Sequence, residues 1–187
     1  MKFYQNVILK NGQTCLLRNA RSSDAEALFA HFILTHEQTD NMITYSDEKD
    51  FDLEKEEQSL QKLENSVDEI MLCAILDERI VGTANLFRLS QKDKLKHRAI
   101  FAIALDRKVW GKGLGRALTE VCINCAKKAN YRQIELEMVA SNQAALTLYK
   151  SVGFVEYGRN PKAFLTRGGN YQELLLMRLE LDEPAAK

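Results

Sequence analysis

A chain of 187 residues fits one domain and is long enough to bury roughly 70% of the surface its unfolded form exposes. Apolar residues at 45% and charged residues at 28% are ordinary for a soluble globular protein, while two prolines and nine scattered glycines exclude a proline-rich linker or a collagen-like repeat. Lys plus Arg and Asp plus Glu are 26 each, so no global field draws the chain to nucleic acid or an anionic membrane, although a local basic patch could still bind phosphate.

Residues 1–10 hold no apolar run long enough for a signal peptide, and no stretch approaches the ~18 apolar residues of a membrane span. Four cysteines, Cys15, Cys73, Cys122 and Cys125, are too few and too irregular for a disulfide framework. A reducing cytoplasm is therefore the expected location. Cys122 and Cys125 form a CxxC inside a helical pattern, with no second pair and no nearby His pair to complete a zinc site. They read as buried structural thiols rather than a metal or redox centre.

In chain order, residues 14–18 (TCLLR) read as a short strand. Ser23-Asp24-Ala25-Glu26 matches a capping box, Ser23 the cap and Glu26 reaching back, before a helix whose apolar stripe is Leu28, Phe29, Phe32 and Ile33. Residues 35–51 have no clean period and are expected to be a loop with broken helix. Residues 52–65 predict a charged helix with Leu53, Leu60 and Leu63 facing in. Residues 47–69 hold ten acids against three lysines, which is a solvated face or, more pointedly, a lure for a cationic substrate.

Residues 70–76 and 79–87 are apolar runs around Asp77-Glu78, a hairpin, and Gly82 in the second run signals a bulge or a close backbone approach. A basic loop at 91–98 leads to a strongly apolar strand at 99–105. Residues 112–127 form an amphipathic helix with Leu114, Leu118, Val121, Cys122 and Cys125 on one face. In a strand at 133–139, Ile134, Leu136 and Met138 face one way, Glu135 and Glu137 the other. A helix over 142–152 ends on Gly153 as a left-handed cap. Strands at 154–159 and 171–181 close the chain, with Gly168-Gly169 in the turn region before the last. The order βααβββαβαββ, with no repeat or linker, describes one α/β domain with a mixed sheet.

The most informative stretch is 106–116, DRKVWGKGLGR, which joins the apolar strand to the helix. Gly111, Gly113 and Gly115 free the backbone to turn its N–H groups toward one point. The helix N-terminus adds its dipole and unpaired donors, and Lys112 and Arg116 add charge. Together they make an anion nest suited to a diphosphate. The spacing is not GxGxxG, since Arg116 stands where the third glycine belongs, and not the GxxxxGKS/T of a P-loop. A plain structural turn is the alternative. Downstream, residues 142–154 fit N-x-x-A-x-x-L-Y-x-x-x-G-F. Seven residues at about 100° each bring Asn142 and Tyr149 within about 20° on one helix face, so an amide and a phenol can touch two parts of one extended ligand. The alternative is a helix N-cap and a core tyrosine.

These two motifs, in this order and spacing, resemble the GCN5-related N-acetyltransferase (GNAT) family, and the likeness covers most of the chain. The family's acetyl-CoA loop, Q/R-x-x-G-x-G/A, matches Gly113 and Gly115 and departs at Trp110. LLRNARSSDAEAL and IVGTANL also look like the family's opening elements. The resemblance implies a single N-acetyltransferase domain over residues 1–187, a GNAT-like α/β fold with a mixed, mostly antiparallel central sheet flanked by helices. It implies acetyl-CoA as the donor cosubstrate, no metal, and transfer to a primary amine by direct attack in a ternary complex. No cysteine lies in either motif, which argues against an acetyl-enzyme.

By the same resemblance, Gly111, Lys112, Gly113, Leu114, Gly115 and Arg116 would anchor the pyrophosphate. Ile103, Ala104 and Leu105 would contact the pantetheine arm through their backbones, one N–H also holding the thioester carbonyl. Asn142 would contact the same arm, and Tyr149 would be the general acid beside the sulfur. Glu137 is the candidate base, because LEMVASN at 136–142 is similar to the LEVRASN strand of members that acetylate protein N-termini. Ordered water and His97 are the alternatives. His31 and His36 could line the acceptor site or be ordinary surface histidines. A small-molecule amine is the favoured acceptor, with a peptide amine of the ribosomal-protein type, or a non-catalytic acyl-CoA sensor, as alternatives. No nucleic acid or membrane partner is implied, and a homodimer is compatible with the family, where dimers are frequent.

Overall fold

The computed structural model describes residues 1–181, so the last six residues assigned to the domain lie outside the described residues. Its elements are β1 (Tyr4–Ile8), β2 (Thr14–Asn19), α1 (Ala25–Glu37), α2 (Leu53–Glu64), β3 (Ile70–Leu76), β4 (Arg79–Arg88), β5 (Arg98–Leu105), α3 (Leu114–Lys128), β6 (Gln133–Val139), α4 (Gln143–Ser151), β7 (Val155–Leu165) and β8 (Tyr171–Glu180). The strands form one eight-stranded sheet in the order β1-β2-β3-β4-β5-β6-β8-β7. All neighbours are antiparallel except β5 and β6. This is the mixed, mostly antiparallel α/β sheet that the element order and the family likeness imply.

β1 is absent from the sequence reading. Its residues YQNVI lack apolar alternation because it is an edge strand exposed along nearly its whole length. It is positioned by pairing with β2, Val7 opposite Cys15, rather than by a buried face.

The start of α1 also differs from expectation. The chain makes a 3-10 turn at Ser22–Asp24, and Asp24 rather than Glu26 reaches back, accepting the Arg21 N–H at 2.8 Å. Arg18 grips the same carboxylate at 2.6 and 2.9 Å. Burial opposes ionisation of Asp24, but the Arg18 and Arg21 bonds hold its carboxyl below the usual range. The deepest face of α1 is polar: His31 and Thr35 are 4% and 1% exposed, whereas Phe29 and Phe32 are half-buried and Phe29 stacks on Phe51 at 4.3 Å. Thr35 is tolerated there because its hydroxyl donates to the His31 carbonyl at 2.9 Å.

On α2 only Leu60 is buried; Leu53, expected to face in, is 38% exposed. The acids of 47–69 are largely paired with cations, Glu56 with Lys49, Glu64 with Lys2, Asp68 with Arg88 and Asp47 with Arg167, which weakens the lure reading. Asp77 and Glu78 take φ of 49° and 60°, the left-handed pair of a tight hairpin turn. Gly82 serves both roles expected of it. The β3–β4 register shifts beside it, and a Cβ there would stand 2.6 Å from Leu105 Cδ2.

The main core lies between the sheet and α3 and α4, with Leu114, Leu118, Cys122, Phe101, Ile134 and Tyr149 among its members. A smaller cluster, Ala20, Ala25, Leu60 and Cys73, sits under α1 and α2. All four thiols are buried, and burial pushes Cys15 up to about 11 and Cys73 up to about 12, which leaves them unreactive. No helix among the described residues is long and apolar enough to cross a membrane.

Candidate active site

The site begins with a defect in the sheet. β5 and β6 pair only at Arg98, Ala99 and Ile100, against Gln133, Ile134 and Glu135. Beyond these residues the parallel strands part, leaving one edge of β5 without a strand. β4 holds the other edge: Leu89 N donates to Arg98 O at 3.0 Å and Asp106 N to Val81 O at 2.9 Å. Antiparallel alternation then turns the peptide groups of even-numbered β5 residues toward β4, and those of odd-numbered residues toward the gap. Ala104 therefore spends its peptide groups on the ladder beside Thr83, while Ile103 and Leu105 face the opening. The Leu105 carbonyl accepts the Trp110 indole N–H at 3.0 Å, so the groups left open are both of Ile103 and the N–H of Leu105.

The loop after β5 is built in two steps. Asp106, 5% exposed, accepts the Lys108 N–H at 3.0 Å and starts a 3-10 turn, Arg107–Val109. Burial opposes ionisation of Asp106, but the Lys108 N–H and the Gln38 amide hold its carboxyl low. Gln38, just past α1, clamps the turn from above, donating to Asp106 at 3.0 Å and accepting the Arg107 N–H at 2.8 Å. The chain then turns through Gly111 and Gly113, at φ of +72° and +88°, a conformation that favours glycine. α3 follows, its first backbone bond outside the helix running from Ala117 N to Gly113 O at 3.1 Å.

No hydrogen bond among the described residues engages the N–H groups of Gly111, Gly113, Leu114, Gly115 or Arg116. Five neighbouring donors at a helix N-terminus fit a diphosphate. Gly115 also has a packing role, because a Cβ there would come within 3.2 Å of Leu148 and 3.3 Å of Leu105, so the bare backbone lets α3 pack against α4 and β5. The Arg116 guanidinium points away, to Ser151 Oγ at 2.7 Å and Glu120 at 3.3 Å, and only its N–H belongs to the nest. Lys112 is half-buried beside it.

Tyr149 lies on the α3–α4 face, 6% exposed, edge-on to Phe101 at 6.2 Å and against Phe154 at 5.7 Å. Burial pushes its phenol above the usual range, so it keeps its proton at neutral pH. Asn142 caps α4, its Oδ1 accepting the Ala145 N–H at 3.1 Å, which leaves the side-chain NH2 as its free end. Glu137 projects from the opposite face of the sheet, exposed, two residues beyond the closed pairing. Glu135 shares that face but is buried and held bidentate by Arg98, with Gln133 adding a bond at 2.8 Å. His97 precedes the paired end of β5, roughly 20 Å along the strand from Ile103 at about 3.3 Å per residue.

His31 is not a surface histidine. Its Nε2 stands 3.3 Å from the Ala104 carbonyl, and burial lowers its pKa. His36 is half-buried, its Nδ1 2.7 Å from the Phe32 carbonyl. Three further residues escaped the sequence reading. Gln38 has no local signal. Lys10 donates its N–H to Lys112 O at 3.0 Å and lays its stem beside Gly113, brought there by the β1–β2 hairpin that was itself missed. Trp110, read only as a departure, ties the loop to the end of β5 and carries the Arg107 guanidinium 5.6 Å from its ring.

A family model described as the acetyltransferase (GNAT) family matches residues 30–154. A [Ribosomal protein bS18]-alanine N-acetyltransferase of Escherichia coli (strain K12) is 34% identical over 105 residues, 51% of this chain and 70% of the relative. An L-amino acid N-acyltransferase of the same strain is 30% identical over 104 residues, 56% of this chain and 60% of the relative. Among solved structures, an acetyltransferase of the GNAT family from Streptococcus pneumoniae superposes with a TM-score of 0.85 at 28% identity, covering 89% of this chain and 99% of that one.

Proposed function

The chain belongs to the acetyltransferase (GNAT) family, and on that premise we propose that residues 1–187 act as one domain that moves the acetyl group of acetyl-CoA to the primary amine of a small molecule. The observation that carries this reading is the parting of β5 and β6 next to five unpaired loop N–H groups. An extended, anionic thioester can lie with its diphosphate on the loop and its arm along the open edge of β5.

Bound acetyl-CoA supplies the acetyl thioester. The loop N–H groups of Gly111, Gly113, Leu114, Gly115 and Arg116 hold the diphosphate, with Lys112 and Lys10 adding charge. Ile103 and Leu105 offer the peptide groups that fix the arm, and one of their N–H groups polarises the carbonyl oxygen. Ala104 supports that edge from the β4 ladder rather than touching the arm. The NH2 of Asn142 reaches the same arm. Tyr149 holds a proton for the departing thiolate, whose thiol has an ordinary pKa near 8.5. Glu137, across the sheet, takes the proton of the attacking amine directly or through one water. Acid and base thus stand on opposite faces, with the gap between them. Reduced, buried thiols support a cytoplasmic setting.

A second reading, a protein N-terminus as acceptor, draws support from LEMVASN and from the ribosomal-protein relative. A thiol-release screen with polyamines, aminoglycosides, free amino acids and peptides tests both. Release driven by a free amino acid or another small amine supports the first reading, and release driven by peptides alone supports the second. Silence across the panel with acetyl-CoA bound would favour an acyl-CoA sensor.

A further inference from the structure

α1 turns a polar face to the sheet, which burial alone does not explain. His31, Thr35 and Gln38 are spaced i, i+4 and i+7, within about 60° of one another around a helix. Gln38 caps α1 with helical backbone angles, φ −84° and ψ −16°, so it keeps that face. Thr35 turns its hydroxyl back to the His31 carbonyl at 2.9 Å. The other two reach the end of β5. His31 Nε2 stands 3.3 Å from the Ala104 carbonyl. Burial lowers the His31 pKa, so at neutral pH the ring is uncharged and has one N–H to give. A carbonyl only accepts, so Nε2 carries that proton. Gln38 uses both ends of its amide, Nε2 donating to Asp106 at 3.0 Å and Oε1 accepting the Arg107 N–H at 2.8 Å.

These bonds fall on the residues that flank the groups of the site. Ala104 lies between Ile103 and Leu105, whose peptide groups face the gap, and Asp106 and Arg107 begin the glycine loop. β4 holds this end of β5 from one side, Asp106 N donating to Val81 O at 2.9 Å. β6 gives no support on the other, because its pairing with β5 stops at Ile100. α1 supplies the missing hold from above the sheet. Asp106 joins the two, since its buried carboxylate also accepts the Lys108 N–H at 3.0 Å. We propose that His31 and Gln38 are positioning residues with which α1 clamps the free end of β5, His31 aiming the main-chain N–H that polarises the thioester carbonyl and Gln38 setting the start of the diphosphate loop. The proposal rests on the acetyl-transfer reading above and adds to that same site two residues that act through β5. A main-chain donor on an open strand edge is aimed only as well as the strand is held, and a small displacement weakens it.

The test uses the full chain and compares wild type with five variants. His31→Phe keeps a ring and removes the donor, and His31→Gln returns an N–H. Gln38→Leu removes both amide bonds, and Gln38→Glu sets two carboxylates against each other. Gln38→Glu/Asp106→Asn restores a donor and an acceptor with their places exchanged. Three quantities are read: hydrogen exchange at the residue-106 N–H, acetyl-CoA affinity by calorimetry, and kcat with whichever amine of the panel above releases thiol fastest. Gln38→Leu should speed exchange and weaken acetyl-CoA about fivefold, Gln38→Glu should weaken it more, and the double variant should recover most of the loss. His31→Phe should speed exchange and lower kcat about tenfold while affinity stays within about twofold, and His31→Gln should recover most of the kcat. Exchange as slow in Gln38→Leu and His31→Phe as in wild type overturns the clamp. Faster exchange with unaltered affinity and kcat overturns the positioning roles while leaving acetyl transfer intact. His31→Gln as slow as His31→Phe in turnover overturns the role of the Nε2 bond. Absence of thiol release from the wild type with every amine overturns the acetyl-transfer reading and the His31 role with it, a result distinct from the others.

Discussion

The two sides of the β5–β6 gap are built from different material. Toward α3 and α4 the groups on offer are main-chain ones, the loop N–H groups and the open edge of Ile103 and Leu105, with buried Tyr149 beside them. Toward α1 and α2 the contacts are made by side chains drawn from distant segments, Gln38 on Asp106 and Arg107, and Arg167 on Asp47. A main-chain site needs particular backbone angles, so it leaves glycines at fixed spacing and can accept a foreign residue such as Trp110 at one position. A side-chain site needs only that a few polar groups meet, so its residues can be replaced in pairs and scatter through the chain. On the proposed function, the first side recognises the constant ligand and the second chooses the acceptor.

Substitutions on the two sides should therefore fail differently. Gly113→Asp places a carboxylate on the main-chain nest at a φ of +88°. Calorimetry should show acetyl-CoA affinity reduced by about 100-fold or more, some 2.7 kcal/mol, with the melting curve still cooperative. Unchanged affinity in the folded variant would move the anchor off this loop. Tyr149→Phe should leave that affinity alone and lower kcat by roughly 10²-fold. The loss sits at the low end for a positioned acid because a thiolate of ordinary pKa can leave unassisted. An unaltered kcat, with chemistry rate-limiting, would reduce Tyr149 to its packing on Phe101 and Phe154.

Across the sheet, Glu137→Gln should lower kcat/KM by roughly tenfold at pH 7 and recover toward pH 9, as more of the amine arrives already deprotonated. A flat ratio from pH 6 to 9 would leave the proton to a water chain. Its neighbour supplies the smallest and most different effect. Glu135→Gln should leave the chemistry untouched and cost about 1–3 kcal/mol of stability, because it strands Arg98. Hydrogen bonding to Arg98 holds the Glu135 carboxyl below its ordinary range against the opposing effect of burial. The pair's contribution is therefore complete above the unfolded value of about 4.3 and disappears as pH falls through the lower folded value. Melting temperature below pH 4 should drop more steeply in the wild type than in Glu135→Gln. Parallel curves would mean that Arg98 gives Glu135 no net stability.

Glu135 and Glu137 also show where sequence reading stops. Strand alternation placed both on one face, and it is right. What separates them is Arg98, delivered by a parallel pairing that lasts three residues and leaves no local trace. The helices and interior strands were legible because each carries its own period and punctuation, down to the left-handed Asp77-Glu78 turn and Gly153 at φ +99°. β1 was not, because an edge strand buries too little to need a pattern. α1 misled, because its apolar stripe covers Phe51 and α2 while His31 and Thr35 take the deeper face through hydrogen bonds. The glycine loop stood out, yet Lys10 and Gln38, which hold it from outside, lie in hairpin and helix ends with no periodicity of their own.

If donor and acceptor occupy opposite faces of one gap, both must be present before the acetyl group moves. Initial rates measured while acetyl-CoA and the amine are varied together test this directly. Transfer across the gap requires double-reciprocal lines that intersect, with the protein mass unchanged after incubation with acetyl-CoA alone. Parallel lines, together with an acetylated protein in the absence of amine, would contradict it and demand a nucleophile on the chain that the four buried thiols do not provide.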